Sequence, residues 1–406
     1  MNITIISGSE TGGAGYAAKN LHQGLLEIGV TANFLTEQMI VEADKSLFKK
    51  IKRWWLVRKD IKRNYKLLAG APTEYDHFSF ARTGYHNIHN HPLIKNADVI
   101  NIHWVSYMVD YKSFFNNINK PIIWTLHDTN PFTGGCHYTF GCDNFTNDCS
   151  TCPQLAEGVR DFAAPDNLKL KRDSLAKLTT QKTVVVSPSK WLKALSEKSS
   201  LFKQYQHFHI PYGINTAIFK HYNQIKSRLK MGLPADKFIV LFAGTSLTEY
   251  RKGFDVILNL RELFKDDQKI MFIAIGKNDV EYEGILNLGY ISDKDDMAIT
   301  YSAANVFIIP SREDNSPNTM LESLCCGTPV IGYKTGGIVD SIEHGNNGFL
   351  VDKENVTDIA AYIKQMMANV DLFDRETISA IATKKYSLKT QAFAYRNMIN
   401  NIFGYN

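Results

Sequence analysis

The 406-residue sequence contains no run of about 18 apolar residues, so we expect no membrane-spanning helix. Its opening residues, MNITIISG, lack a basic segment followed by a long apolar one. They predict a first β-strand and turn rather than a signal peptide. The sequence also lacks low-complexity segments and solenoid-type repeats. These absences favour a globular protein of two or three domains that works in the cytoplasm.

The chain also has little net charge, +5 in total, and the basic excess is concentrated in residues 45–66. This segment holds ten Lys or Arg residues against one Asp, together with Trp54 and Trp55. Cations among aromatic side chains suit an anionic membrane surface, so we expect peripheral contact with the inner face of the membrane. The alternative is a solvated basic face with core tryptophans. A nucleic-acid partner is not expected, because no recognised binding module accompanies the charge.

The sequence has only six cysteines, and four of them fall within 17 residues. In a cytosolic chain, disulfides are the less expected use of such a cluster. Four thiolates at this spacing predict one closed, structural zinc site, with His137 as an alternate ligand. Free thiols, disulfides and an iron–sulfur cluster are the other interpretations. The proposed ligands are Cys136, Cys142, Cys149 and Cys152.

Short β-branched runs bounded by turns recur in both halves of the chain and predict buried parallel strands. They cover residues 3–7, 99–102, 122–126, 183–186, 239–242, 271–275, 306–309 and 329–332. Because helical patterns alternate with them, we expect an α/β protein of two Rossmann-like, doubly wound domains facing a central cleft. The expected segments are a first domain at 1–206 with a cysteine-rich loop at 134–153, a connector at 207–222, a second domain at 223–385, and a closing helix within 386–406 that crosses back to the first domain.

The most informative segment, residues 309–330, reads IPSREDNSPNTMLESLCCGTPV. A strand ends near Pro310, and Pro317 suits the first turn of a helix. Backbone N–H groups from 316 to 319 would then point beyond the helix start, which predicts a pyrophosphate site. Glu322, one turn into the helix, is placed to bind a ribose hydroxyl pair, and Asp314 lies where an attached sugar ring would sit.

An acidic residue, seven intervening residues, a glutamate and a Cys-Gly-Thr-Pro-Val strand resemble the donor signature of retaining glycosyltransferases of family 4, which have the GT-B fold. Asp314 stands where that family most often has Glu. Lys252-Gly253 is similar to the family's lysine position, whereas its separate upstream arginine is absent and Arg251 is the nearest substitute. The resemblance implies donor contacts from Gly12, Gly13, Arg251, Lys252, Asn315, Ser316, Pro317, Asn318, Thr319 and Glu322.

The first domain contributes a glycine-rich segment and a histidine to the same resemblance. Gly12-Gly13-Ala14-Gly15 follows the first strand but lacks the full GxGxxG spacing. His127 ends a buried strand, where the family has a histidine that contacts the transferred sugar. His103 ends another strand and is expected on the acceptor side. The resemblance thus implies catalytic roles for His127, Asp314 and Lys252.

The function implied is retaining transfer of a sugar from a UDP- or GDP-sugar to a glycan or lipid-linked acceptor. The run Pro-Phe-x-Gly-Gly-Cys-His-Tyr is similar to one in polysaccharide glycosyltransferases of the exopolysaccharide and colanic-acid type, which implies a role in exopolysaccharide, capsule or lipopolysaccharide assembly. No cofactor is expected for catalysis. The alternatives are a glycogen- or sucrose-type synthase, a nucleotide-sugar 2-epimerase of the same fold, and a non-catalytic sugar-nucleotide-binding subunit.

Overall fold

The computed structural model describes residues 1–43, 46–72, 77–81, 87–277 and 281–405. Lys45, the first residue of the predicted basic segment, lies outside them. The chain divides into two compact units, Met1–Pro211 with Gln391–Asn406, and Tyr212–Thr390.

The first unit is built on a six-stranded parallel sheet with the order β2-β1-β3-β4-β5-β6. Its strands are β1 (Asn2–Ser7), β2 (Thr31–Thr36), β3 (Val99–Ile102), β4 (Ile122–Thr125), β5 (Thr183–Ser187) and β6 (Gln206–His209). The central strands β3, β4 and β5 are buried along their whole length because helices cover both faces of the sheet.

Nine α-helices surround this sheet among the residues that the structure describes. They are α1 (Gly12–Glu27), α2 (Glu37–Ala43), α3 (Leu47–Leu68), α4 (Pro92–Lys95), α5 (Tyr111–Phe115), α6 (Glu157–Arg160), α7 (Ala163–Leu175), α8 (Lys190–Lys198) and, at the end of the chain, Leu388–Phe403. That last helix packs Tyr395 and Ile399 into the same core as Ile5 and Ile123. The Tyr395 hydroxyl also lies 2.8 Å from Thr125 Oγ1 inside the core.

The second unit contains a six-stranded parallel sheet with the order β12-β11-β10-β7-β8-β9. Its strands are β7 (Phe238–Ser246), β8 (Ile270–Lys277), β9 (Ile285–Asn287), β10 (Val306–Ile309), β11 (Val330–Tyr333) and β12 (Gly348–Val351). The chain winds outward from β7 to one edge and then outward from β10 to the other. Strand order therefore reverses between β7 and β10, the place where open α/β sheets bind ligands at their carboxyl ends.

The helices of the second unit are α9 (Gln224–Lys230), α10 (Phe254–Leu263), α11 (Lys294–Ala303), α12 (Asn318–Cys325), α13 (Val356–Ala368) and α14 (Arg375–Tyr386); the helix Leu388–Phe403 is then α15. The predicted α/β class with two doubly wound parallel sheets is confirmed. In the described part of the chain, no helix has both the length and the apolar character needed to cross a membrane.

Candidate functional site

Two loops meet at the carboxyl ends of β7 and β10 in the second unit. The first leads from Ser246 to a short 3-10 helix at Tyr250–Lys252, and the second leads from Ile309 to the start of α12. The predicted residues Arg251, Lys252 and Asp314 lie on these loops. The strand reversal therefore gathers residues that are about 60 positions apart in sequence.

Asp314 accepts hydrogen bonds from two cationic side chains of the other loop. Its Oδ2 accepts a hydrogen bond from Lys252 Nζ at 2.6 Å and another from Arg251 Nη1 at 3.1 Å. Arg251 also donates to Glu249 Oε1 and to the backbone carbonyl of Glu313. Arg251 and Asp314 are buried, whereas the Lys252 side chain is 21% exposed. Lys252 is thus the cation best placed to meet a ligand.

The charge of Asp314 depends on these partners. Burial alone would raise the pKa of its carboxyl, but Lys252 and Arg251 outweigh burial and hold that pKa below its ordinary value. The site therefore contains an ionised carboxylate that two cations stabilise. A ligand phosphate would compete with this carboxylate for Lys252.

Two glycines allow the loops to approach so closely. Gly253 has φ +74°, and a Cβ there would lie 2.3 Å from the carbonyl oxygen of Pro310. Gly336 has φ +51°, and its Cβ would lie 1.8 Å from the carbonyl oxygen of Asp314. That same carbonyl accepts a hydrogen bond from the N–H of Gly337 at 2.9 Å. A side chain at either glycine would push the Asp314 loop away from its cations.

Arg312 holds the Asp314 loop in place, a role that the sequence reasoning missed. Its guanidinium donates to both carboxylate oxygens of Asp255 at 2.9 and 2.7 Å, and to Glu354 Oε1 at 2.9 Å. It also lies over the Tyr250 ring, 4.0 Å from the centroid. A bidentate arginine–carboxylate pair fixes orientation as well as distance. Because Arg312 precedes Asp314 by two residues, this pairing restricts where Asp314 can lie.

Glu322 lies in α12, which begins directly after Pro317 as predicted. Its Oε2 accepts a hydrogen bond from the Tyr301 hydroxyl of α11 at 3.1 Å. Burial raises the pKa of Glu322, although Lys294 and the Tyr301 bond act in the opposite direction. Tyr301 fixes one carboxylate oxygen, which leaves Oε1 as the atom that a ligand would meet.

The other predicted donor contacts surround the start of α12. Asn315 and Ser316 are buried, Pro317 is the N-cap residue, and Asn318 and Thr319 form the first turn with part of their surface exposed. The positive end of the α12 dipole thus lies three residues from Asp314. Backbone N–H groups at a helix N-terminus favour an anionic group such as phosphate.

In the first unit, the structure places Gly12 and Gly13 inside the first turn of α1. The glycine-rich segment after the first strand is therefore the start of a helix. His127 follows the end of β4, and its Nε2 lies 2.8 Å from Nδ1 of His103, which follows β3. The two histidines therefore form a pair.

Asp128 and His137 form a second buried pair beside these histidines. His137 Nδ1 lies 2.6 Å from Asp128 Oδ2, and His137 Nε2 lies 2.8 Å from Ser79 Oγ. Both ring nitrogens of His137 thus have partners other than the cysteines, and its role as an alternate metal ligand stays a prediction. Burial would raise the pKa of Asp128, but His137 and the N–H of Asn130 outweigh it and lower that pKa.

The four clustered cysteines line one cavity in the first unit. Cys149 Sγ accepts a hydrogen bond from the N–H of Gly134 at 3.1 Å, and all four side chains are free thiols. Burial raises the pKa of Cys149 to about 12. Across residues 1–43, 46–72, 77–81, 87–277 and 281–405, no group of three or more His, Cys, Asp or Glu side chains is arranged to hold a metal ion. The zinc site stays a prediction.

Helix α3 carries the described part of the basic segment. Trp54 and Trp55 are 54% and 59% exposed, so they are not core residues. Arg58 lies over the Trp54 ring, 4.1 Å from its centroid, and Lys59 lies 5.8 Å from that of Trp55. The exposed surface of α3 therefore combines aromatic rings with cations.

Comparison with solved structures identifies the fold as GT-B. Sucrose-phosphate synthase from Thermosynechococcus elongatus matches with a TM-score of 0.65 and 16% identity, covering 100% of this chain and 99% of that one. HepE from Anabaena, solved in complex with UDP-glucose, matches with a TM-score of 0.62 and 15% identity, covering 99% of this chain and 100% of that one. At these identities the likeness concerns the fold alone.

Part of the second unit is similar to a known protein family. Residues 223–384 match the family model of glycosyl transferases group 1. The D-inositol 3-phosphate glycosyltransferase of Acidothermus cellulolyticus is 27% identical over 179 residues, which are 39% of this chain and 40% of that protein. The enzyme of the same name from Streptomyces bingchenggensis is 28% identical over 186 residues, 40% of each chain. The chain thus covers about two fifths of the length of these curated relatives.

Proposed function

We propose that this protein is a retaining glycosyltransferase that moves a sugar from a nucleoside-diphosphate sugar to a glycan or lipid-linked acceptor in cell-surface polysaccharide assembly. The observation that carries the proposal is the grouping of Lys252, Asp314 and Glu322 around the start of α12. A UDP-sugar is the first donor to test, because HepE was solved with UDP-glucose.

Each part of this grouping has a proposed role in donor binding. The N-terminus of α12 and Lys252 receive the diphosphate, Glu322 Oε1 receives the ribose hydroxyls, and Asp314 receives a hydroxyl of the sugar. His127, in the first unit, is proposed to contact the transferred sugar. Gly12, Gly13 and Arg251 are proposed as supporting donor contacts.

The proposed transfer needs no protein nucleophile. The acceptor oxygen bonds to the anomeric carbon on the face that the diphosphate leaves, and the acceptor proton passes to a diphosphate oxygen. Negative charge grows on the leaving group during this step. Lys252 and the α12 N-terminus are proposed to stabilise that charge, which is the main contribution a preorganised site makes. No cofactor takes part.

The experiment measures turnover of UDP-, GDP- and ADP-sugars by the full chain. Each donor is tested with and without glycan acceptors. NMR of the product shows its anomeric configuration. Transfer in which the product keeps the anomeric configuration of the donor supports the proposal. Inverted product contradicts the retaining mechanism. Acceptor-independent change of configuration at the sugar's C2 indicates a 2-epimerase, and binding without turnover indicates a non-catalytic subunit.

We also propose that Cys136, Cys142, Cys149 and Cys152 bind one structural zinc ion. Support comes from the four thiols around one cavity and from the N–H of Gly134 that donates to Cys149 Sγ. The left-handed backbone of Cys149 and Thr151, with φ of 60° and 53°, is costly for residues with side chains. Metal binding would release the thiol protons and draw the sulfurs into a tetrahedron.

Purified protein is therefore expected to contain about one zinc ion per chain, measured by elemental analysis. Cys149→Ser is expected to lose this zinc, because serine is a poor ligand for it. Cys325→Ser is the matched control, since Cys325 is a buried cysteine of the second unit, and it should keep the metal. A metal-free wild-type protein of full stability would refute the site.

Helix α3 is proposed to contact an anionic membrane from the cytoplasmic side. Arg58→Gln with Lys59→Gln is expected to weaken binding to phosphatidylglycerol-containing vesicles about 30-fold, since each cation near the surface contributes about 1 kcal/mol. Lys384→Gln with Lys385→Gln removes two exposed lysines of α14 as a control. Equal loss in both variants, or no vesicle binding by the wild type in sedimentation, would contradict the proposal.

A further inference from the structure

Helix α11 ends with its backbone carbonyls bound by side chains from other parts of the second unit. The last four C=O groups of an α-helix lack the N–H partner that the helix gives to the others. In α11 these groups belong to residues 301–304, and the last turn has no basic side chain of its own. The hydrogen bonds run from Thr328 Oγ1 to Tyr301 at 2.7 Å, from Arg375 Nη2 to Ser302 at 3.0 Å, from Arg228 Nε to Ala303 at 3.0 Å and from Arg375 Nη1 to Ala304 at 2.7 Å. Residues distant in sequence therefore fix the end of α11.

Thr328 joins α12 to this end of α11. It comes shortly after the last residue of α12 and is fully buried. Its N–H donates to the carbonyl of Ser323 at 3.0 Å, and its own carbonyl accepts from Ser323 Oγ at 3.1 Å, so its backbone is bound to α12. Its hydroxyl donates to the carbonyl of Tyr301 and accepts from Arg375 Nη2 at 2.6 Å. One residue thus connects the ends of both helices.

Arg375 brings a positive charge to the same place. All the hydrogen bonds described for its guanidinium go to uncharged oxygens, namely two backbone carbonyls and the Thr328 hydroxyl. Burial lowers the pKa of Arg375 to about 10, because the charge is held away from water. The C-terminus of a helix carries a partial negative charge that stabilises a cation within its last turn. The end of α11 thus provides the electrostatic partner of this buried arginine.

Tyr301, whose carbonyl Thr328 holds, is also the residue that orients Glu322. Its hydroxyl donates to Glu322 Oε2 at 3.1 Å. The Tyr301 ring is fully buried and packs edge-on against Phe307, with 5.6 Å between the centroids, so it has little freedom to move apart from the helix. At 3.1 Å the bond to Glu322 is already long, and a shift of about 0.5 Å in α11 would break it.

We propose that Thr328 and Arg375 are positioning residues for nucleotide binding. They hold the end of α11 and, through the Tyr301 hydroxyl, orient the Glu322 carboxylate. Neither residue touches the nucleotide in this proposal. The use of Glu322 for a ribose rests on the proposed function, whereas the hold on its carboxylate rests on contacts within the second unit alone.

The first test measures binding of UDP, GDP and ADP to the full chain by calorimetry and continues with the nucleotide that binds most tightly. Thr328→Val keeps the shape of the side chain and removes the hydroxyl, so the carbonyl of Tyr301 loses its donor. We expect Kd to rise about fivefold, the effect of losing roughly one hydrogen bond. Thr328→Ser keeps the hydroxyl and should bind like the wild type. Arg375→Lys keeps the charge without the fork that reaches two carbonyls, so a smaller rise in Kd is expected.

A double variant shows whether Thr328 acts through Tyr301. Tyr301→Phe alone is expected to raise Kd about tenfold, because the carboxylate loses the hydroxyl that orients it. If Thr328 acts only through that hydroxyl, Thr328→Val adds nothing in the Tyr301→Phe background, and Kd stays about tenfold above that of the wild type. Independent effects would instead multiply to about fiftyfold.

Thr300→Val is the matched control. Thr300 precedes Tyr301 in α11 and is also buried, but its hydroxyl donates to the carbonyl of Asp296 in the same helix at 2.7 Å. The substitution therefore removes a buried hydroxyl next to Tyr301 and leaves the Thr328 contact in place, so Kd should not change. Thermal unfolding identifies any variant that fails to fold, and Arg375→Lys then carries the comparison in place of Thr328→Val.

A second measurement does not depend on nucleotide binding. The hydrogen bond from Tyr301 lowers the pKa of Glu322, so Thr328→Val and Tyr301→Phe should each raise that pKa. The double variant should raise it no further than Tyr301→Phe does. Carbon-13 NMR of glutamate-labelled protein measures the titration, and Glu322→Gln identifies the signal. Lys294, which also lowers this pKa, is the same in every variant.

Three results would overturn the inference: a Glu322 pKa that Thr328→Val leaves unchanged, multiplied effects on Kd in the double variant, or equal changes in Thr328→Val and Thr300→Val. If none of the nucleotides binds to the wild type, the proposed function fails, whereas the carboxyl titration still decides whether Thr328 orients Glu322. If a nucleotide binds equally well to wild type and Thr328→Val, the inference fails and the proposed function stands. The two hypotheses can therefore fail independently.

Discussion

Replacing Glu322 with alanine is expected to lower kcat/KM for the nucleotide-sugar donor roughly 100-fold or more. The carboxylate lies in the first turns of α12, and Tyr301 occupies only its Oε2. Two hydrogen bonds from a ribose diol to a charged acceptor contribute about 1.5–3 kcal/mol each, and every 1.4 kcal/mol is a factor of ten. Steady-state kinetics with the best donor of the panel measures the loss.

Tyr301→Phe is the matched variant for Glu322. It removes the hydroxyl that orients the carboxylate without removing the carboxylate itself. We therefore expect kcat/KM for the donor to fall about tenfold, mainly through a higher KM. Circular dichroism should show that both variants fold, because neither substitution buries a new charge. Unchanged kinetics in Glu322→Ala would refute the assignment of this residue to the donor site.

The central strands of both sheets were predictable because their residues are apolar and β-branched. Strands β3 and β10 have the bounds that the sequence predicted. Two of the edge strands were not recognised: β6 is the polar run Gln206–His209, and β9 has three residues. An edge strand is paired on one side only and is partly exposed, so its sequence lacks an apolar run.

The candidate site was predictable where function and local structure share one segment. Asp314 and Glu322 belong to a single loop and helix, and their spacing indicated a site through its resemblance to the donor signature of family 4. Tyr301 and Arg312 could not be recognised, because a tyrosine in a helix and an arginine in a loop have many other roles. Their importance follows from contacts between separate elements, Tyr301 with Glu322 and Arg312 with Asp255, and sequence spacing does not report such contacts.

Asp128, in the first unit, is another residue whose role could not be predicted from the sequence. The sequence placed it next to His127 at the end of a strand, but its role depends on His137, nine residues further on. That pairing requires the loop after β4 to fold back on itself. It gives His137 a partner outside the cysteine cluster and places a carboxylate beside His127. One contact between side chains nine residues apart thus bears on the interpretation of two motifs.

Asp314→Asn is expected to lower kcat by about 100-fold and to destabilise the protein by about 3 kcal/mol. The amide keeps an oxygen near the sugar but no longer balances Arg251 and Lys252, and removing one partner of a buried ion pair leaves an uncompensated charge. Urea unfolding at neutral pH measures the stability, and single-turnover kinetics measures the chemical step.

The stability difference between wild type and Asp314→Asn should depend on pH with a definite sign. The folded pKa of Asp314 lies below its unfolded value of about 3.9, so its stabilisation is complete well above that value. It is lost as the pH falls through the lower, folded pKa. The two proteins should therefore differ most at neutral pH and converge in acid.

Glu249→Gln separates the structural role of Asp314 from its role toward the sugar. Glu249 pairs with Arg251, as Asp314 does, but the ion pair described for the Lys252 side chain is with Asp314 and not with Glu249. This variant should lose stability and keep most of kcat. If both variants lose kcat equally, Asp314 acts only by holding Arg251, and the proposed contact between Asp314 and the transferred sugar is wrong.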